Sequence, residues 1–485
     1  GLLAEAVTDE NKKAYKAKLA QMVYATYPAT FAYNPATRQA GWSLDKKSDY
    51  YIYFYFLCLA LLNDKGSFCF ITSNSWLDVG YGSDLQRFLL TRGKVKLIID
   101  NQVKRSFKSA DVNTIIALLA PPQDNRNDLK ASLAHEARFV MFQVPFENGL
   151  SPVLWEEVEE AEGRRTTLET RVVVKKQAEL LETGIDAEKG VYAGDKWGGK
   201  YLRAPDIYWV IMEKCRDKLV RLGDVADIRR GITTGATDFF FLSKDQIDEY
   251  GFEEDFYKPI YTTLKDIDKY LITGDMANKY VFSCDFSKKQ LKEKNFINVL
   301  NYIEAGESLG LHKRPSIRAK NPWYSISEQK QPQFIINRFL GERFGIPLVS
   351  NVLISDVFFV GTFNDEYSMF GPALLNNSIT YLTMEILARK AYALGVAYVY
   401  GPECNSLSLV NPEIIPDDIK QEVVKNFSIM CTRNILKIEN ELDLTDRIDF
   451  DKVIFRYLGL SDIEQDQLYE DIINMTMTRL GKAKN

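Results

Sequence analysis

Apolar residues are concentrated in residues 48–119, where long and short apolar runs alternate. The longest run, 50–62, is apolar over about three helical turns and predicts a buried helix. An amphipathic helix is predicted over 75–90. Three shorter runs have the length of buried strands: 68–72, 96–100 and 113–119. Alternating strands and helices are typical of a parallel sheet with right-handed crossovers, so this part of the chain is predicted to be α/β.

The pattern changes at residues 196–205, which are rich in glycine, proline and aromatic side chains. This composition is typical of a domain junction. The first domain is therefore predicted to span 1–195, and an apolar run at 138–144 predicts an edge strand within it. An acidic run at 156–162 is predicted to be solvated surface.

Beyond the junction, the sequence predicts a strand at 222–228, a glycine turn at 229–235 and a strand at 239–242. From residue 412 onward, apolar residues recur mostly at three- and four-residue steps, which indicates helices. Ser461 and Glu464 have the spacing of a capping box before the last helix. The predicted fold class is α/β followed by α+β, with domains at 1–195, 196–411 and 412–485.

The composition is that of a globular protein. Of the 485 residues, 46% are hydrophobic and 26% are charged, which are ordinary values for a chain of two or three domains. The sequence has no apolar run of about 18 residues, so no membrane span is predicted. The six cysteines lack metal-ligand spacing, which favours free thiols, a reducing cytoplasm and no metal site. Two histidines in the whole chain disfavour His-dependent hydrolysis.

The net charge of −5 is unlike that of most DNA-binding modules, which are basic. Positive side chains are nevertheless clustered at 221–230 and 313–320. A local basic surface can attract nucleic acid whatever the charge elsewhere on the protein. The two clusters are therefore compatible with DNA binding.

Several motifs in the first domain occur together: Ser48-Asp49-Tyr50-Tyr51, GSFCFITSNSWL at 66–77, Tyr81-Gly82, and Phe107 before Val112-Asn113-Thr114. In this order and spacing, the segment resembles the second half of the catalytic domain of adenine-specific, amino-methylating DNA methyltransferases. This gamma group includes TaqI methyltransferase and the single-chain restriction-modification enzymes. The resemblance is specific because several motifs agree, whereas each alone is weak. It implies a partial Rossmann-like sheet and S-adenosylmethionine as the methyl donor of the parent enzyme.

The later segments 196–242 and 373–412 resemble the TaqI-like target-recognition domain of the same methyltransferases. They also resemble the specificity subunits of type I restriction systems. The resemblance therefore implies double-stranded DNA as the partner.

Two parts of the methyltransferase pattern are absent from the sequence: the Gly-rich cofactor turn and the Asn-Pro-Pro-aromatic tetrad that holds the target amino group. Asn34-Pro35-Ala36-Thr37 has neither the second proline nor the aromatic residue, and it is predicted to be a loop turn. Gly1 resembles the residue left after tag cleavage. We therefore expect a C-terminal fragment that lacks the N-terminal half of its own chain, has no catalytic tetrad, and binds no S-adenosylmethionine by itself.

Two residues are candidates for the base pocket. In the resembling family, an aromatic residue in the loop before the last hairpin strand stacks on the extruded base, and Phe107 occupies that place. The alternative is that Phe107 packs beneath its own loop. Asn74 ends a strand at its carboxyl end, where α/β ligand sites form. The alternative there is that Ser73 or Ser75 simply caps the next helix.

The candidates for DNA contacts lie in two basic segments and one later strand. They are Arg229, Arg230, Thr233, Thr234, Lys313, Arg314, Arg318, Lys320 and Arg338. Guanidinium groups and turn amides suit phosphates, and a single arginine such as Arg338 can read a guanine edge. The alternatives are an ordinary glycine turn between strands and a solvated loop.

The sequence therefore predicts the C-terminal part of a site-specific adenine DNA methyltransferase of a restriction-modification system. The alternative is a stand-alone DNA specificity subunit that acts with a separate catalytic chain. A nuclease is not supported, because no Asp…Glu-x-Lys constellation with strand context is found.

Overall fold

The computed structural model describes residues 9–31, 42–103, 107, 112–121, 129–149, 151–186, 188–262, 267–326, 330–390 and 395–482. The chain forms two compact units. The first contains Gly1–Pro205, Ile386–Ala397 and Met477–Asn485, and the second contains Asp206–Glu385 and Tyr398–Thr476. The division at 205/206 lies close to the predicted boundary at 195/196. Asn34-Pro35-Ala36-Thr37 lies outside the described residues.

Residues 9–205 contain α1 (Asp9–Thr26), α2 (Pro28–Phe31), α3 (Tyr50–Leu59), β1 (Phe68–Ser73), α4 (Ser83–Arg92), β2 (Lys94–Asn101), β3 (Thr114–Ala120), α5 (Leu129–Ala134), β4 (Glu136–Phe142), α6 (Pro152–Glu160), β5 (Arg164–Thr166), β6 (Thr170–Lys176), α7 (Gln177–Thr183), β7 (Ile185–Asp186) and β8 (Val191–Tyr192).

Six of these strands form one mixed sheet in the order β1-β3-β2-β4-β6-β5. The predicted parallel sheet is wrong for the three strands on which it was based, because β3 runs antiparallel to both of its neighbours, β1 and β2. β6 is likewise antiparallel to β4 and β5. β3 returns beside β2 and pairs with it antiparallel, as the two strands of a hairpin do. β2 and β4 are parallel. The predicted edge strand at 138–144 is also wrong, because β4 pairs with β2 on one side and β6 on the other.

The predicted helix over 75–90 is interrupted. A 3-10 turn covers Asn74–Leu77, a second covers Gly80–Gly82, and only then does α4 begin. The break follows from packing. Trp76 is fully buried, and a Cβ atom on Gly82 would lie 1.9 Å from its carbonyl oxygen. The chain therefore bends tightly around Trp76 at a position where only glycine fits.

Both faces of the sheet contribute to the core of the first unit. On one face the rings of Tyr55 and Trp76 are 5.5 Å apart and those of Phe56 and Phe88 are 4.7 Å apart. On the other face α6 packs Leu154 and Val158 against the sheet. The acidic run at 156–162 is thus partly the outer face of an amphipathic helix, whose apolar face is buried.

Residues 206–482 contain the helices α8 (Asp206–Lys214), α9 (Leu222–Val225), α10 (Thr237–Phe240), α11 (Lys244–Tyr250), α12 (Lys288–Glu293), α13 (Ile297–Ser308), α14 (Phe370–Leu374), α15 (Ser378–Leu387), α16 (Gly401–Asn405), α17 (Asp417–Met430), α18 (Ile438–Glu441), α19 (Thr445–Leu458) and α20 (Asp462–Lys482). The strands are β9 (Leu219–Arg221), β10 (Ala226–Arg230), β11 (Phe241–Leu242), β12 (Tyr257–Tyr261), β13 (Leu271–Thr273), β14 (Lys279–Phe282), β15 (Phe334–Asn337), β16 (Phe339–Leu340), β17 (Leu348–Ser350), β18 (Leu353–Ile354), β19 (Phe358–Phe363), β20 (Ala397–Tyr398) and β21 (Ser408–Val410).

The second unit has two main sheets, with strand orders β10-β19-β15-β17-β13 and β11-β14-β12-β18. The predicted strand at 222–228 is a short helix, α9, followed by β10. The segment 231–240 joins β10 in one sheet to β11 in the other, so the glycine turn passes between two sheets.

The C-terminal helices belong to the second unit as far as Thr476. Asp451 on α19 accepts hydrogen bonds from the backbone nitrogen and the hydroxyl of Ser378, at 2.9 and 2.6 Å, at the start of α15. The capping box of Ser461 and Glu464 is confirmed, with contacts of 2.7 and 3.4 Å. Among the described residues, no helix is long and apolar enough to cross a bilayer.

Candidate base pocket and DNA-binding surface

The strand directions bring three loops to one edge of the first unit's sheet. Because β3 is antiparallel to both β1 and β2, the carboxyl ends of β1 and β2 lie at the same edge as the start of β3. Asn74 follows β1, Phe107 lies between β2 and β3, and Asn113 directly precedes β3. This edge is where ligand sites form in α/β sheets.

Asn74 is buried, with 5% of its surface exposed. Its backbone nitrogen donates to the carbonyl oxygen of Asn113 at 3.0 Å, which extends the β1–β3 pairing by one residue. The alternative prediction, that a serine caps the following turn, is confirmed, because the hydroxyl of Ser73 accepts from the nitrogen of Ser75 at 3.3 Å. The role of Asn74 in the base pocket stays a prediction.

Two buried amide oxygens at this edge are unsatisfied. The Oδ1 atoms of Asn74 and Asn113 have no hydrogen-bond partner among the described residues. The Nδ2 atom of Asn113 donates to the carbonyl oxygen of Lys390, so its Oδ1 atom is the part of the amide left over. Buried acceptors without partners are uncommon and call for an explanation. Asn113 is part of the motif Val112-Asn113-Thr114, but nothing in the sequence predicts that its side-chain oxygen is buried without a partner among the described residues.

Phe107 is 46% exposed, as stacking on a base requires. Its role in base binding stays a prediction. The neighbouring polar residues Lys104, Arg105, Lys108 and Ser109 lie outside the described residues.

Two tyrosines with perturbed acidity lie in the motif segments of the same unit. The hydroxyls of Tyr51 and Tyr81 are 3.0 Å apart. Burial raises the pKa of both phenols, and for Tyr51 the adjacent Tyr81 raises it further. Both are therefore neutral near pH 7, and they can donate or accept hydrogen bonds but cannot act as phenolate bases.

The junction segment is fixed to the first unit by a buried ion pair. The π-helical turn Gly198–Arg203 carries Arg203, whose guanidinium lies 2.8 Å from the carboxylate of Asp78. The two side chains are only 10% and 5% exposed. Asp78 also accepts from the backbone nitrogen of Gly199 at 3.0 Å. Asp78 follows the turn that carries Asn74, so this pair links the junction to the edge of the sheet.

In the second unit, the structure brings together two segments that are far apart in sequence. Arg314, in the basic segment 313–320, donates to the carbonyl oxygen of Gly235 in the glycine turn at 3.3 Å. Gly235 has φ +82, and a Cβ atom there would lie 2.6 Å from the hydroxyl oxygen of Ser316, so only glycine fits this position without strain. The turn and the basic segment therefore form one continuous surface.

Four basic residues give this surface its charge. Lys313, Arg314 and Arg318 are exposed, and Lys320 is half-buried with its ammonium 5.6 Å from the ring centre of Phe240. Burial lowers the pKa of Lys320. Of the described residues, none forms an ion pair with any of the four. We call these four residues the basic cluster.

The candidates in the glycine turn differ in accessibility. Arg230 is exposed but forms an ion pair with Asp356 at 3.1 Å, and the hydroxyl of Thr233 donates to the same carboxylate at 3.3 Å. Arg229 donates to the carbonyl oxygen of Lys330. Thr234 is only 4% exposed and accepts from the backbone nitrogen of Ala236 at 3.3 Å. A direct DNA contact by Thr234 is therefore disfavoured, because its hydroxyl stabilises the turn from within.

Arg338 is half-buried between aromatic rings. Its guanidinium lies 5.3 Å from the ring centre of Tyr400 and 5.9 Å from that of Phe339. Its Nε atom is buried without a partner among the described residues. Both distances are those of cation–π contacts, and the planar guanidinium fork suits bidentate recognition.

The strand β1 is not followed by a glycine-rich turn of the kind that binds cofactors. The turn that follows β1 is Ser73-Asn74-Ser75, with no glycine, and the nitrogen of Ser75 is already bonded to Ser73. A dinucleotide-type cofactor site needs a glycine-rich turn with free backbone nitrogens. In the described part of the chain, no group of three or more His, Cys, Asp or Glu side chains is arranged to hold a metal ion.

Two family models match the chain. Residues 194–448 match the model of the C-terminal domain of type II methyltransferase M.Eco57I. Residues 31–107 match the Eco57I restriction-modification methylase model. Because the first match alone spans more than half of the chain, the chain belongs to the family of type II restriction-modification DNA methyltransferases related to M.Eco57I.

Individual relatives are more distant. The type II methyltransferase M.AccI of Acinetobacter calcoaceticus is 27% identical over 139 residues, which are 27% of this chain and 24% of M.AccI. The type IIL restriction-modification enzyme MmeI, solved in complex with DNA, has a TM-score of 0.51 at 12% identity, covering 95% of this chain and 55% of MmeI. The type IIG restriction endonuclease BpuSI has a TM-score of 0.43 at 14% identity, covering 99% of this chain and 54% of BpuSI. The likeness to MmeI shows a shared fold, and this chain spans about half the length of both solved proteins.

Proposed function

We propose that these 485 residues supply sequence recognition and part of the base pocket of a site-specific adenine DNA methyltransferase. The methyl donor is S-adenosylmethionine, and the acceptor is the exocyclic amino group of adenine. The observation that carries the proposal is the basic cluster, which is joined to the glycine turn inside the segment that matches the M.Eco57I C-terminal domain.

The electrostatics of the second unit support DNA as the partner. A protein that contacts phosphates needs cations that are not already neutralised. Arg230 is paired with Asp356, whereas the basic cluster has no acidic partner among the described residues. The cluster therefore contacts phosphates, and Arg338, whose guanidinium is planar, reads a base edge.

The sheet edge of the first unit supports a contribution to the base pocket. An adenine in a duplex must be extruded before its amino group can be methylated, and the extruded base is held by stacking. Phe107 is exposed at the edge that also carries Asn74. The Asn-Pro-Pro-aromatic tetrad is not in the sequence, so we place the catalytic residues on protein outside these 485 residues.

Salt-dependent DNA binding tests the proposal. The double variant Lys313→Gln/Arg318→Gln removes two cluster charges and should flatten the plot of log affinity against log salt by about 0.9 for each lost phosphate contact. Lys289→Gln is the matched control, because Lys289 is also exposed in the second unit but lies beside Glu293 at 3.8 Å. Equal slopes for the wild type and the double variant would contradict the proposal.

The alternative, a stand-alone specificity subunit, is less well supported. A subunit that only reads DNA has no need of the β1-β3-β2 arrangement that places Asn74 and Phe107 at one edge. A radiolabelled methyl-transfer assay tests whether the catalytic residues lie outside these 485 residues. The chain alone should transfer no methyl group, and transfer by the chain alone would refute the assignment of the catalytic residues to another part of the protein.

A further inference from the structure

A cavity of about 630 Å³ lies beside the basic cluster in the second unit. It is formed by α10, by the end of α11 and by α13 with the residues that follow it. Its volume is within the range of small-molecule sites and is large enough for a nucleoside. Arg314 is part of its lining, so the cavity and the proposed DNA surface share a residue.

The walls of the cavity are suited to a flat ring. Tyr250, 39% exposed, lies with its ring 4.7 Å from that of Tyr302, whose ring stacks on Phe239 at 4.6 Å. The hydroxyl of Tyr302 donates to the carbonyl oxygen of Phe239 at 2.6 Å, so this aromatic wall is held in place. Leu309 also lines the cavity and is 78% exposed, so it adds accessible apolar surface beside this wall.

The polar groups of the cavity complement a nucleotide. Arg314 is held by the carbonyl oxygen of Gly235 and retains further N–H donors for a phosphate. The carboxylates of Asp238 and Glu249 and the amide of Asn301 also line the cavity. These groups can accept hydrogen bonds from the N–H groups that all four bases carry. A purely apolar protein segment would leave them desolvated without partners.

From this arrangement we propose that the cavity binds one unpaired base of the DNA, with Arg314 on its phosphate and Tyr250 against its ring. The inference rests on the proposed DNA binding of the second unit. It adds a second site for an extrahelical base, separate from the pocket to which Phe107 and Asn74 are assigned. Base stacking on an aromatic residue contributes enough free energy for roughly a tenfold difference in affinity.

The test uses two duplexes that are identical except for a single unpaired guanine, and measures binding of the 485-residue chain by fluorescence anisotropy. The wild type should bind the bulged duplex roughly tenfold more tightly than the intact one. Ala305→Trp places an indole in the cavity from an exposed position on α13 and should abolish this preference while intact-duplex binding is kept. Glu304→Trp, at the neighbouring exposed position outside the cavity lining, should keep the preference.

The inference is overturned if the wild type shows no preference for the bulged duplex, or if the preference survives in Ala305→Trp. In both cases intact-duplex binding reports separately on the proposed function. Failure to bind either duplex would overturn both proposals, whereas intact-duplex binding without a preference overturns only this one. Loss of the preference in Glu304→Trp as well would also overturn the assignment to the cavity.

Discussion

Replacing Asp451 with alanine removes the only carboxylate that contacts Arg447 among the described residues of the second unit. Both side chains are 0% exposed, and the Nε–Oδ2 distance is 2.9 Å. Burial alone would lower the pKa of Arg447, but Asp451 and the surrounding groups raise it well above its ordinary value, so the guanidinium keeps its charge. Asp451 also accepts hydrogen bonds from Ser378 and from the hydroxyl of Tyr469 at 3.0 Å.

The expected cost follows from this burial. Removing one partner of a buried pair leaves the other charge uncompensated, which typically costs 3–5 kcal/mol, and about that loss is expected for Asp451→Ala. The exposed pair Lys214–Glu464 is the matched control, since its atoms are 2.7 Å apart but its side chains are 38% and 21% exposed. Glu464→Ala should cost about 1 kcal/mol or somewhat more, because an exposed pair contributes little and the residue also caps α20.

Urea unfolding followed by circular dichroism measures both variants. A third variant, Arg447→Met with Asp451→Leu, removes both charges and should be more stable than Asp451→Ala, because no uncompensated charge is left. The reasoning would be refuted if Asp451→Ala lowered the free energy of unfolding by no more than Glu464→Ala does. So would a double variant that is less stable than the single one.

Three further predictions concern the first unit. Phe107→Ala should change the free energy of unfolding by less than about 0.5 kcal/mol, because the ring is half exposed. In a complete enzyme the same substitution should weaken binding of the extruded base by about 1–3 kcal/mol, which a base-extrusion reporter measures. Asn74→Leu should leave thermal stability unchanged or raise it, since it removes a buried oxygen that has no hydrogen-bond partner in the described part of the chain. A marked loss of stability would reveal a partner for that oxygen. Gly82→Ala should lower the melting temperature because its Cβ atom would meet the backbone of Trp76, whereas Gly80→Ala, which meets no atom within 4 Å, should not.

Much of the first unit's architecture could be predicted from local pattern. The strands β1, β2 and β3 lie within two residues of their predicted bounds, because short apolar runs between polar turns have few alternatives. Strand direction could not be predicted in the same way. Apolarity alone does not distinguish a buried parallel strand from the antiparallel β3, whose direction depends on how the chain returns.

In the candidate sites, too, some features could be predicted from local sequence, whereas others depend on contacts between distant parts of the chain. The exposure of Phe107 and the basic character of the segment 313–320 follow from local sequence. The pairing of Arg230 with Asp356 and the contact of Arg314 with Gly235 join positions far apart in the chain, so a single sequence carries no signal for them. The burial of Thr234 was missed for the same reason, since a turn threonine is exposed unless tertiary packing covers it.

Site-specific recognition is the central claim, and selection from a pool of random-sequence duplexes tests it most directly. The chain should enrich one defined sequence motif, and the variant Arg338→Lys, which keeps the charge but loses the planar fork, should enrich it less strongly at one base position. Enrichment of no motif, with binding that depends on salt but not on sequence, would contradict the account.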